Sequence, residues 1–142
     1  QTIVDVVDPI HYAPITMLSP RAGNGAKSVY MTEGINPDGT GDSYAPPHGI
    51  EAQAIAMGLP LQLPSQRAIV ESQWGGPAPV TVPAGGLSKN VGGEASGVLA
   101  QWPVPANSDG HFVVFDVPQA RTQAAEFLRR LADDPAGNVP PP

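Results

Sequence analysis

Runs of alternating or periodic apolar positions are short in this chain, and the first that reads as structure is Lys27-Ser28-Val29-Tyr30-Met31-Thr32. It predicts a strand over 27–32, set off by the Gly23-Asn24-Gly25 turn before it and Gly34 after it. Between Asn36 and Pro47 glycine or proline stands at almost every second place, which rules out a helix or a regular strand and predicts a loop. From Gly49 to Met57 the spacing of Ile50, Ala54 and Met57 is helical, and Gly58 followed by Leu59-Pro60 is a stop signal. Two short β-like runs follow, Arg67-Ala68-Ile69-Val70 and Val80-Thr81-Val82, separated by Gly75-Gly76-Pro77, and then the better strand Val98-Leu99-Ala100-Gln101-Trp102. The last element is a helix from Val117 to about Leu131. Asp116 is its predicted cap, Gln119 stands at the capping-box position and Pro118 in the first turn. Its apolar face would be Ala120, Ala124, Phe127, Leu128 and Leu131, with Arg129 and Arg130 near the end that favours cations.

The order strand, acidic loop, helix, strand, histidine loop, helix is the closing order of a doubly wound α/β sheet, whose functional loops gather at the carboxyl ends of the strands. The fold class expected is therefore α/β and loop-rich, with residues 1–135 forming the folded part and 136–142 an extended Pro-rich tail.

Composition narrows the class. A length of 142 residues suits one domain with a real core. The 16 glycines and 18 prolines approach the range of disordered chains, but 41% hydrophobic residues favour a folded, loop-rich unit. A net charge of -6 with two lysines, Lys27 and Lys89, offers no basic face, so nucleic acid is not an expected partner. The absence of cysteine excludes disulfides, thiolate metal sites and cysteine nucleophiles, without fixing the compartment. No apolar run reaches the roughly 18 residues of a membrane helix. The chain opens at Gln1-Thr2-Ile3-Val4-Asp5-Val6-Val7 with no initiator methionine, so the expectation is either a removed leader or one piece of a longer, cleaved chain.

Of the three histidines, His11, His48 and His111, the last stands out. It lies in Asp109-Gly110-His111-Phe112, between a predicted strand and the final helix, where glycine permits a tight loop and an accessible imidazole. An imidazole acting as general base needs a carboxylate on its other nitrogen. Asp42 in the first loop is the candidate acid, with Asp38 second, although both carboxylates could equally make the Asx turns such a loop requires. Two rival readings use the same residues. Asn36, Asp38, Thr40, Gly41 and Asp42 look like the start of a calcium loop, but the twelfth position is Pro47 where a bidentate Glu belongs, which excludes an EF-hand and leaves only an irregular calcium site. Gly41-Asp42-Ser43 is also similar to the nucleophile block of GDS-type esterases, with Ser43 served by Asp109 and His111, but the spacing is Asp-x-His rather than Asp-x-x-His. Tyr44, Met57, Trp74 and Trp102 are candidates for an acyl pocket.

The segment Thr40-Gly41-Asp42-Ser43-Tyr44-Ala45-Pro46-Pro47-His48-Gly49-Ile50-Glu51-Ala52, ahead of Gly58-Leu59-Pro60, resembles the acid-loop segment of large secreted bacterial α/β-hydrolases of lipase and esterase type. Asp109-Gly110-His111-Phe112-Val113-Val114-Phe115, followed by a helix ending Phe127-Leu128, resembles their histidine segment. The resemblance covers about Gln1 to Leu131 and rests on the order and spacing of these motifs. It implies the C-terminal strands and helices of an α/β-hydrolase sheet, secreted or in the cell envelope, with Asp42 and His111 as acid and histidine of a Ser-His-Asp triad acting on carboxylic esters. No Gly-x-Ser-x-Gly elbow is present, so the nucleophile and oxyanion hole would belong to an upstream segment or companion chain; neither cofactor nor metal is implied. A non-catalytic structural or binding module of a surface or particle assembly is the alternative from another class.

Overall fold

Two parallel strands carry the loops of interest, β1 (Val29–Ile35) and β4 (Gly97–Pro103), paired in register from Val29 opposite Gly97 to Ile35 opposite Pro103 in a computed structural model that describes residues 8–142. The opening run 1–7 lies outside the described residues. Between these strands come β2 (Gln62–Leu63) and β3 (Val80–Thr81), also a parallel pair, and a bridge from Leu61 to Leu99 ties them to β4. The helices are α1 (Pro9–Met17), α2 (Pro47–Met57), the single turn α3 (Val113–Asp116) and α4 (Pro118–Asp133), with 3-10 turns at Val70–Trp74 and Gly110–Phe112. The protein is thus mixed α/β, with a few short parallel strands joined by long loops.

Alternation along β4 builds the core on both faces of the sheet. Leu99 packs with Met17, Ala54, Leu59, Leu61 and Ile69 on the side of α1 and α2, while its neighbour Val98 packs with Val82, Phe127 and Val139 on the side of α4. A buried polar network joins the second layer: the Tyr30 hydroxyl donates to Gln123 Oε1 at 2.7 Å, and the Gln123 amide nitrogen donates to Gln62 Oε1 at 2.8 Å and to the Pro140 carbonyl at 2.6 Å. Residues 136–142 pack onto the domain, with Leu87 and Val139 exchanging backbone hydrogen bonds and Val139 fully buried.

Several expectations need correction. The first strand runs on to Ile35 because Gly34, read as a boundary, is a strand residue where another backbone approaches closely. Helix α2 begins two residues early, since Pro47 is tolerated in a first turn; Gly58 ends it as expected, in the left-handed region at φ 77°. The run 67–70 forms no strand. The Arg67 amide donates to the Gln101 side chain rather than to a ladder, and Val70 opens a 3-10 turn. Asp116 does not cap the last helix: it already belongs to the turn α3, its carboxylate accepts from the Ser108 hydroxyl, and the extended Val117 takes the cap position with no side-chain bond. On α4 the buried residues are Ala120, Gln123 and Phe127, whereas Leu128 is 63% exposed. Helix α1 was not foreseen. Pro14 interrupts its pattern, and its signal was the pair Asp8-Pro9, where the Asp8 carboxylate accepts from the Ile10 amide at 3.0 Å.

Candidate functional site

Asp42 and His111 stand on loops that leave neighbouring parallel strands at the same end, and backbone contact between those loops sets their separation. The Gly110 amide donates to the Gly41 carbonyl at 2.9 Å. A β-carbon on Gly110 would lie 2.5 Å from the Asp42 amide nitrogen and 2.6 Å from the Gly34 carbonyl oxygen, and one on Gly34 would lie 2.4 Å from Gly110 Cα. Only glycine lets the strand end and the two loops meet so closely.

Asp42 is nearly buried and divides its oxygens between two tasks. Oδ1 accepts from the amides of Tyr44 at 2.8 Å and Ala45 at 2.7 Å, an Asx turn that fixes the carboxylate. Oδ2 faces His111 Nδ1 at 3.2 Å. The turn and the histidine contact, posed from sequence as alternatives, coexist in one carboxylate. With its proton on Nδ1 the imidazole donates to Asp42 and leaves Nε2 as the basic nitrogen; the His111 side chain is 46% exposed.

The other acidic groups are committed elsewhere. Asp38 accepts at Oδ1 from the Thr40 hydroxyl at 2.6 Å and amide at 3.0 Å, and these bonds hold its carboxyl below the ordinary aspartate range. No hydrogen bond joins it to His111; its Oδ1 closes a turn on Thr40, while Asp42 Oδ1 closes a separate turn on Tyr44 and Ala45. Asp109 caps the 3-10 turn, accepting from the His111 amide at 2.9 Å and from the Ser43 hydroxyl at 2.5 Å. The Ser43 hydroxyl bond, followed by that from the His111 amide, lowers the Asp109 pKa. Ser43 therefore spends its proton on Asp109 and not on His111, contrary to what the GDS-type arrangement requires.

Comparison with known families, curated proteins and solved structures found no match to this chain.

The residues considered for an acyl pocket do not converge. Tyr44, 70% exposed, stands 4.9 Å between ring centroids from His111, and Phe112 stands 5.2 Å from His111 on another side, so the imidazole sits among aromatic rings. Met57 belongs to the core beside Leu99, Trp102 packs with Val113 and Val117, and Trp74 is exposed on its 3-10 turn. Sequence reading missed a buried charged group beneath the site. Glu33 on β1 accepts from the Gln101 amide at 3.0 Å, and Glu51 on α2 pairs with Arg67 at 2.7 Å. Burial pushes the Glu33 carboxyl up to about 7, with the Glu51 charge adding to the effect. The available signals were a glutamate in the middle of the apolar β1 and another on the core side of α2. Among the described residues no helix is long and apolar enough to cross a membrane.

Proposed function

We propose that this chain supplies the acid, Asp42, and the histidine, His111, of a Ser-His-Asp triad that hydrolyses carboxylic esters, with the serine and oxyanion hole on an upstream segment or companion chain of a secreted or cell-envelope bacterial enzyme. The observation that carries the reading is the 3.2 Å approach of Asp42 Oδ2 to His111 Nδ1, made by two loops at the carboxyl ends of adjacent parallel strands. In this mechanism His111 Nε2 takes the serine proton as the hydroxyl attacks the ester carbonyl, and returns it to the departing alcohol. Asp42 holds the tautomer and stabilises the imidazolium. The Tyr44 and Phe112 rings give the acyl or alcohol portion an apolar surface beside the base.

The sheet supports an incomplete unit. Among the described residues β1 is laddered on one side only, by β4, and next to it lies an apolar groove lined by Tyr30, Thr32, Val114, Phe127 and Leu128. A further parallel strand from the companion segment would satisfy that edge and cover the groove. The test is labelling of the native protein by a fluorophosphonate, which reacts only with an activated serine. Label on a companion polypeptide, lost in His111→Ala, is the expected result. Label on Ser43, or none on any polypeptide that co-purifies, would overturn the reading.

A further inference from the structure

Away from the Asp42 and His111 pair, at the start of α2, His48 and Glu51 stand one helical turn apart and Glu71 of the 3-10 turn faces them both. His48 Nδ1 lies 3.4 Å from Glu51 Oε2 and 3.2 Å from Glu71 Oε1, and the three ligand atoms all fall within 4.8 Å of one another. We propose that His48, Glu51 and Glu71 form a binding site for a divalent ion of the zinc type, with three protein ligands and an outward position open to water.

Burial of the carboxylates and the spacing of the three groups both favour a bound cation. The Glu51 side chain is 0% exposed, and its Oε2 meets only the long 3.4 Å approach of His48 Nδ1; the second oxygen of Glu71 is buried with no donor among the described residues. Carboxylate oxygens withdrawn from water without donors are costly unless a cation compensates them. Arg67, 2.7 Å from Glu51, approaches the other oxygen, Oε1, and so acts as an outer support that leaves Oε2 free. The spacing lets one ion reach all three groups: ligand atoms about 2.0 to 2.2 Å from a tetrahedral zinc stand about 3.3 to 3.6 Å apart, and His48 Nδ1 lies 3.4 and 3.2 Å from the two carboxylate oxygens, with all three atoms within 4.8 Å of one another. One imidazole with two carboxylates suits zinc better than calcium or magnesium, which take oxygen ligands alone. Bound there, the ion would fasten the 3-10 turn Val70–Trp74 to α2, the helix that follows the acid loop.

The test uses the whole protein, stripped with a chelator and dialysed against buffered zinc, with metal counted per chain. One equivalent should bind, and His48→Ala and Glu71→Gln should each reduce uptake to background. His48 is 72% exposed and Glu71 about half as much, so circular dichroism should show both variants folded. His11→Ala serves as the control for adventitious binding and should keep the full equivalent. Failure of the wild type to take up zinc, or uptake unchanged in His48→Ala, would overturn the proposal. The assay reads no ester hydrolysis, and its outcome leaves the triad reading untouched.

Discussion

Gly110→Ala is the perturbation that bears most directly on how the site is assembled. The added methyl would stand 2.5 Å from both the Asp42 amide nitrogen and the Gly41 carbonyl carbon, and 2.6 Å from the Gly34 carbonyl oxygen. Ordinary contact begins near 3.5 Å, so the overlap is about 1 Å on each. All three neighbours are backbone atoms, one in a strand laddered to β4 and two in the acid loop, and none can swing aside as a flexible side chain would. Relief requires the two loops to separate by about 1 Å, which breaks the 2.9 Å bond from the Gly110 amide to Gly41 and carries His111 away from Asp42. Overpacking of this kind costs about 1–3 kcal/mol. A displacement of about 1 Å in a catalytic group costs about 10²-fold in rate. Chemical denaturation of the whole protein should therefore show a lower midpoint, and, under the proposed function, ester hydrolysis should fall about a hundredfold. Gly49→Ala is the matched control: it lies in α2 with nothing within 4 Å of the new methyl, and should be about 0.5–1 kcal/mol more stable with unchanged rate. Wild-type stability and rate in Gly110→Ala would refute the claim that close backbone approach sets the site.

Asp42→Asn places an amide opposite His111 and loosens the Asx turn, so under the proposed function hydrolysis should fall by up to about 10⁴ while the protein stays folded; Ser43→Ala, which removes only the bond to Asp109, should keep most of the rate. Glu33 has its folded pKa raised by burial to about 7 from an ordinary 4.5, so the folded state holds its proton where the unfolded state releases it. Its contribution is present at low pH and is lost as pH rises from about 4.5 to about 7, amounting to about 3 kcal/mol. Urea unfolding at pH 5 and pH 8 should then show Glu33→Gln gaining stability on wild type mainly at the higher pH, and an equal effect at both would contradict the burial argument. Gln123→Ala orphans the Tyr30 hydroxyl, the Gln62 side chain and the Pro140 carbonyl, and should cost about 2–4 kcal/mol by the same measurement.

The legible parts of this chain were those in which local rules act alone. Val98 to Trp102 and the stop at Gly58 needed only alternation and a left-handed glycine, and both are present. The loop carrying Asp42 was legible because glycine and proline at almost every second place leave no regular structure available, whereas His111, beside the single Gly110, sits in a short 3-10 turn. What failed depended on distant partners. Gly34 looks like punctuation until Gly110, 76 residues later, is placed against it. Gln123 breaks an apolar stripe, and is buried because Tyr30, Gln62 and the tail satisfy its amide. Arg67 spoils a β-like run because Glu51 and Gln101 claim its charge and its amide. Asp116 fitted a cap by sequence, but the preceding residues formed a turn of their own and took it in.

Three aspartates border the two loops, and geometry, rather than sequence spacing, distinguishes them. Asp38 is turned back on Thr40, and Asp109 is held by the His111 amide and the Ser43 hydroxyl. Asp42 alone presents an oxygen to the imidazole, after its other oxygen has been fixed by the Tyr44 and Ala45 amides. A carboxylate pinned in this way orients the ring without being drawn toward it, the role that a triad acid fills. The same contact uses up Nδ1, so any nucleophile must reach Nε2. Ser43 is turned onto Asp109, on the acid side of the ring, and no other hydroxyl among the described residues is bonded to His111. Under the proposed function the serine must therefore approach from outside the described residues, and the single-sided ladder of β1 offers the edge along which its strand would align.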